Sequence, residues 1–277
     1  MSSTKPNVTI IDAASPVPYF RKIKEAFQYY DLLVMLVYRD IRVRYAQTFF
    51  GMAWAFINPV VSVLLLYFVF GIVIKVDTNG VPPLLYTMTG ICSWNYFSRV
   101  VGDAGGSIIG AQSLVKKVYF PRILIPLAKA ISAILDLIIV LVILFIMLAA
   151  YQMSFRWQML MIIPFSILTV FSGIAFGIWV ASLTIRFRDF SHIVPLVLRI
   201  GMFVSPIAYG AALVPVEYRW AFNLNPLTGI IEGFKWAVLG TEFNSASLIT
   251  SVIVISLVLI AGVWYFLRLD KYIADIV

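Results

Sequence analysis

The chain has 277 residues, 62% of them hydrophobic and 12% charged, with a formal net charge of +8. A soluble domain holds roughly 45–50% apolar residues, so this composition, with a mean hydropathy of +0.96, excludes a soluble globular protein and points to an integral membrane protein. Its single cysteine, Cys92, excludes an internal disulfide and a cysteine metal cluster.

Residues 1–30 read as a polar cytoplasmic tail containing Pro6, Pro16 and Pro18, with no cleavable signal peptide expected. Residues 31–50 read as an amphipathic interface helix. At 100° per residue, Val34, Val37, Tyr38, Ile41 and Tyr45 share one arc, opposite Arg39 and Arg42. Such a helix lies in the head-group layer with its cations among the phosphates. Arg39, Arg42 and Arg44, just before a span, also mark that end as cytoplasmic.

Residues 51–267 read as six spans, found as uncharged apolar runs of roughly 17–25 residues. The first runs from Gly51 to Ile74 and holds Asn58-Pro59. The loop KVDTNGVPP follows, with turn chemistry at Asn79-Gly80 and Pro82-Pro83. Span two starts near Leu84 and ends between Arg99 and Asp103, before the small-residue segment GDAGGSIIGAQS and the short amphipathic SLVKKVYFPR. Span three covers Ile123 to Tyr151 and contains Asp136, and span four covers Trp157 to Ile185. The break RFRDFSH leads into span five, Ile193 to Gly210, which carries Ser205-Pro206. Residues 213–240 are too interrupted by Glu232 and Lys235 to cross and read as a re-entrant helical hairpin. Span six is Phe243 to Leu267, and residues 268–277 form a cytoplasmic tail.

Of the 21 lysines and arginines, all but Lys75, Arg156, Arg219 and Lys235 fall on the segments expected in the cytoplasm. This asymmetry satisfies the positive-inside rule with both termini inside. It accounts for the basic charge without a nucleic-acid partner.

Chemistry by this chain is not expected. It has no G-x-x-x-x-G-K-[ST] phosphate loop and one histidine, His192, whose neighbours Ser191 and Asp189 sit too close in sequence for a triad. The outer-surface acids Asp77, Glu217, Glu232 and Glu242 show no paired spacing, and no metal site is expected. Asp136 inside span three is functional by default, or it forms a structural pair, with Lys129 as the candidate partner. The breaks SLVKKVYFPR and RFRDF are surface linkers or levers, and Arg186 and Asp189 are spaced for a local pair.

Taken in order, RDIRVRYAQTFFGMAWAFINP, KKVYFPR, RFRDF and NPLTGIIEGFKW resemble the ABC-2 type transporter permeases. The nearest group is the exporters of O-antigen, teichoic acid and capsule, and the resemblance spans about residues 31–267. It implies an all-α, six-span subunit in the bacterial cytoplasmic (inner) membrane, forming a homodimer around a channel. Two copies of a separate nucleotide-binding ATPase would carry ATP and Mg, leaving this chain without a cofactor. The implied substrate is an undecaprenyl-pyrophosphate-linked polysaccharide. By motif position, Lys116, Lys117, Tyr119, Phe120, Pro121, Arg122, Arg186, Arg188 and Asp189 would couple to the ATPase. Trp54, Phe56, Asn58, Tyr67, Phe203 and Tyr209 would line the channel, where aromatic faces let sugar rings slide.

The arginines suit the lipid pyrophosphate, because a guanidinium fork binds phosphate in two places. Arg42 and Arg44 point about 160° apart on an ideal helix, so one of the three should dominate, and Arg44 lies nearest the span. Two other classes compete: a membrane-embedded transferase on a polyprenyl-linked substrate, and an ion-coupled transporter centred on Asp136.

Overall fold

The computed structural model describes residues 25–46 and 50–270. The tail before residue 25, residues 47–49 of the interface stretch and the tail 271–277 lie outside the described residues. Regular structure among the described residues is entirely helical.

Helix α1, Tyr30–Tyr45, precedes the first span, Gly51–Val73. Within that span, a 3-10 turn leads into α2, Trp54–Leu66, which continues as a wider turn over Tyr67–Val73. The widening is visible in the bond from the Ile74 amide to the Val69 carbonyl, five residues back, at 3.0 Å. Pro59 sits inside α2, and the Ser62 hydroxyl donates to the Asn58 carbonyl at 2.9 Å beside it. The loop before the next helix uses positive φ at Lys75, Asn79 and Gly80.

Helix α3, Pro83–Gly105, is followed by the short α4, Ser107–Gly110, and α5, Gln112–Lys117. Then come α6, Leu124–Ser132, and α7, Ile134–Ala150, as one apolar run. Helix α8, Ile162–Arg186, leads to α9, Phe190–Val204. The remaining helices are α10, Arg219–Leu224; α11, Thr228–Leu239; and α12, Ser245–Leu269. Gly240 closes α11 in the left-handed conformation at φ 73°, and Asn244 caps α12 by accepting from the amides of Ala246 and Ser247.

Among the described residues, four segments are long and apolar enough to cross a membrane: Gly51–Val73, Leu124–Ala150, Trp157–Arg186 and Ser245–Leu269. The expected second and fifth spans differ from these in kind. Helix α3 has 23 residues, about 34 Å at 1.5 Å per residue, but it is the polar centre of the bundle. The Thr87 and Thr89 hydroxyls and the Cys92 thiol donate back to the carbonyls of Pro83, Leu85 and Met88, so these three groups are satisfied while buried, whereas the buried Ser93 hydroxyl has no hydrogen-bond partner among the described residues. Helix α9 has 15 residues, about 22 Å, and stops at Ser205-Pro206.

Helix α8 packs against both α3 and α12. The approach to α3 is close because Gly173 and Gly177 face it: a methyl group at Gly173 would lie 2.7 Å from Tyr96 Cε1. This is the small-residue packing that membrane helices use in place of a hydrophobic driving force. Helix α11 is almost wholly buried and packs on α3, α8 and α12.

Candidate functional site

The site forms where the end of α1, the start of α2, the last turns of α3 and the first turn of α7 converge. Asp136 opens α7, and Asp103 closes α3. Arg44 Nη1 donates to Asp136 Oδ2 at 2.6 Å, and its Nη2 to Asp103 Oδ2 at 3.4 Å. Arg99 Nε lies 3.0 Å from Asp103 Oδ2 and 4.0 Å from Asp136 Oδ2. Among the described residues, two cations and two anions thus alternate in one cluster. Burial is graded: 13% of the Arg44 side chain and 18% of Asp136 are exposed, against 36% of Arg99.

A cavity of about 590 Å³ opens on this cluster. Its walls add Trp54, Asn58, Asn95 and Ser98 to the four charges. The lining therefore offers cationic donors, carboxylate acceptors, amides and an indole within one volume, the mixture that a ligand pocket uses to fix orientation.

The three arginines expected at lipid phosphate separate. Arg44 joins the cavity, while Arg39 is held at 3.0 Å by its neighbour Asp40 and Arg42 is exposed. Asp40 also receives Lys129 Nζ at 3.0 Å, so Lys129 pairs with Asp40 and Asp136 with the arginines. The inward face of α1 runs through Leu36 and Asp40, whereas Val34 and Tyr38 are exposed. Sequence reasoning missed Asp40, Arg99 and Asp103. The signal available was the spacing Leu36, Asp40, Arg44, which repeats every four residues on one helix face.

The expected channel residues also divide. Trp54 and Asn58 line the cavity. Phe56 is exposed, and Tyr67 is half-buried against Gly71. Phe203 and Tyr209 meet the first span through Phe70, with ring centroids at 6.5 and 5.9 Å.

Beyond Phe203, residues 205–210 are non-helical, and their carbonyls are met from elsewhere. Lys235 Nζ donates to the Pro206 carbonyl at 2.6 Å and the Tyr209 carbonyl at 2.9 Å, and lies 3.7 Å from the Tyr86 ring centroid. The Tyr209 hydroxyl turns back to the Val204 carbonyl at 2.7 Å. This satisfies the rule that irregular backbone at membrane depth must find protein partners.

The expected coupling elements lie together at one end of the bundle. Arg122 bonds the Asp270 carbonyl and lies 3.7 Å from its carboxylate, just past the end of α12. Arg186 reaches the Tyr265 hydroxyl, near the same end of α12, at 3.4 Å, and stacks over Phe187. Lys116, Lys117, Tyr119, Arg188 and Asp189 are exposed there, and Pro121 is half-buried. Phe120 differs: at 3% exposure it is packed with Leu36 and Ile123 in the core. The Arg44 cluster lies at this same end, because the last turn of α3 packs against the last turns of α8 at Thr184.

This helical chain, with its apolar spans and polar elements gathered at one end, matches the model of the ABC-2 type transporter over residues 31–239, and it belongs to that family. It is 29% identical to the O-antigen export system permease protein RfbA of Klebsiella pneumoniae, over 89% of this chain and 95% of that protein. It is 24% identical to the protein of the same name in Myxococcus xanthus, over 87% and 92% of the two chains. The polysialic acid transport protein KpsM of Escherichia coli is 25% identical over 78% of this chain and 87% of its own.

Proposed function

We propose that this chain is the transmembrane permease subunit of an ABC exporter that moves undecaprenyl-pyrophosphate-linked polysaccharide, of the O-antigen kind, across the bacterial cytoplasmic membrane. The observation that carries the reading is the similarity to two O-antigen export permeases over most of both chains, together with a polysialic acid transport protein. In this reading α3 and α9 complete six spans, α1 lies in the interface, and residues 213–240 re-enter the outer leaflet. Both termini lie in the cytoplasm. Hydrolysis of ATP belongs to two copies of a separate subunit, docked on the end that carries Lys116, Tyr119 and Arg186.

Two copies of the chain enclose the path. The first span supports this: only 17% of its most apolar stretch is buried within the chain, against 22% for the span starting at Ser245 and 39% for those starting at Leu124 and Trp157. Its uncovered face, with Phe56, Val60 and Leu64, and the uncovered side of α9, with Val197 and Ile200, are the surfaces left for a second copy. The pyrophosphate is received at Arg44, and the glycan passes Trp54, Phe203 and Tyr209. Asp136, held between Arg44 and Arg99, serves as their counter-ion, which ranks the ion-coupled alternative lower.

The test is ATP-driven translocation of lipid-linked glycan by the purified permease and its ATPase in proteoliposomes. Tyr119→Ala should weaken ATPase association while leaving the folded dimer intact, because the ring is 60% exposed. Phe120→Ala should instead lower stability by about 3–5 kcal/mol, as a core phenylalanine truncation does. Translocation without ATP, or full ATPase association in the Tyr119 variant, counts against this assignment.

A further inference from the structure

One arginine at the cavity is only partly committed. Arg99 approaches Asp103 and Asp136 through Nε, at 3.0 and 4.0 Å, and among the described residues its terminal nitrogens donate no hydrogen bond. One turn further into the bundle on the same face of α3 stands Asn95, and Asn58 stands on α2. Among the described residues, these two accept through their backbone carbonyls, and neither side-chain amide is hydrogen-bonded. All three side chains line the one cavity. Building on the assignment of Arg44 to the lipid pyrophosphate, we infer that Arg99, Asn95 and Asn58 form a second phosphate subsite. It lies inward of Arg44, and the head group reaches it after Arg44 has received it.

Arg44 donates from both terminal nitrogens to the acids, at 2.6 Å to Asp136 and 3.4 Å to Asp103. A guanidinium carries five N–H donors, and in Arg99 the acids are met by the Nε edge. The two terminal nitrogens are the fork that grips a pair of phosphate oxygens. Arg99 can therefore take an anion without releasing a carboxylate. Asn95, Arg99 and Asp103 follow one another at four-residue spacing, so they climb one face of α3 in steps of about 6 Å. The carboxylates occupy the outermost rung of that ladder, and a neutral amide occupies the innermost. A phosphate moving inward leaves the acids behind and meets donors ahead, since each asparagine brings two N–H groups. Amides at this depth find no partner in lipid, so the cavity is where a ligand or water meets them.

The full permease–ATPase complex in lipid vesicles, supplied with polyprenyl pyrophosphate, separates the two stations. Stimulated ATP hydrolysis gives a half-maximal lipid concentration and a maximal rate, and translocated lipid is counted in parallel. Arg44→Ala, which removes the first station, should raise the half-maximal concentration by about tenfold or more. Arg99→Lys should instead lower the maximal rate and translocation by about tenfold, with the half-maximal concentration held within about threefold. Lysine keeps a charge beside Asp103 and lacks only the fork, so this loss reports donor geometry. Asn95→Leu should lower the maximal rate in the same way, and Asn95→Gln should restore most of it at unchanged Tm. If the Asn95 variants do not assemble, Asn58→Leu on the more exposed residue decides the matter. Wild-type maximal rates in Arg99→Lys and in the assembled asparagine variants overturn the second subsite. Inorganic pyrophosphate should not stimulate hydrolysis, and a response equal to that of the lipid would assign the subsite to a free anion and overturn it too. An unchanged half-maximal concentration in Arg44→Ala would instead overturn the assignment of Arg44 to the head group.

Discussion

Two charged regions occupy the bundle, and they are built in opposite ways. Lys235 is 2% exposed, and its ammonium is met by two backbone carbonyls and a ring face, all fixed by the chain, with the Glu232 carboxylate near enough to act on it. Arg44, Arg99, Asp103 and Asp136 are met by one another, through side chains that can turn away, and a cavity of about 590 Å³ lies beside them. A cation held by backbone dipoles in a packed site has nowhere to go, and it fixes the shape of the broken segment 205–210. Charges held by other charges beside open volume can exchange partners. The first arrangement is structural, and the second can handle a substrate.

Substitution of Lys235 should have the largest effect, and it should fall on the fold. Lys235→Met leaves the Pro206 and Tyr209 carbonyls without their donor, an expected loss of about 2–5 kcal/mol, read as a lower Tm of the purified protein. A variant as stable as the wild type would erase the contrast between the two regions. Arg44→Ala should do the reverse. Export should fall by about tenfold or more, while Tm moves less than in Lys235→Met, because Arg99 remains near both acids.

The Asp40–Lys129 pair tests the boundary between the two kinds of site. Asp40 is buried like Lys235, yet its partners are side chains, as in the cavity cluster. A double-mutant cycle between Asp40→Ala and Lys129→Ala should give a coupling of about 0.5–3 kcal/mol in stability. Additive losses would show that Arg39 alone neutralises Asp40.

The contrast also explains what the sequence did and did not disclose. The apolar spans were legible, since a run such as Leu124–Ala150 has only one environment in which it is stable. Helix α3 was legible as a helix but not as the centre. In water the most apolar face turns inward, whereas lipid is itself apolar, so the most polar of the long bundle helices takes the protected position. The same inversion governs α1. Grouping Val34, Tyr38 and Ile41 picked out a face that is exposed in part, while the packed face carries Asp40 and leads to Arg44. The partners of Arg44 come from 59 and 92 positions along the chain, a distance no local pattern spans. The family, by contrast, could be read from four short segments taken in their order along the chain.

Arginine-to-lysine changes along α1 should range from a large effect at Arg44 to the smallest of all at Arg42, and they separate topology from recognition. Lysine carries the same charge as arginine, so the positive-inside rule treats them alike, but it lacks the fork that bonds two acceptors at once. Arg44 uses that fork now, with Nη1 on Asp136 and Nη2 on Asp103. Arg44→Lys should therefore give up one of two charge-assisted bonds, worth roughly 1.5–3 kcal/mol, and lower export by about ten- to 150-fold. Arg39 spends its donors on the adjacent Asp40, which lysine can also reach, so Arg39→Lys should cost only a few-fold in export. Arg42 is exposed on the face away from Asp40. Arg42→Lys should leave export within about twofold, because an exposed cation contributes roughly 0–1 kcal/mol. The check is export in the three single variants, with expression and orientation in the membrane verified. Equal losses at all three positions would mean that charge at the head-group layer, and not the cavity, receives the lipid.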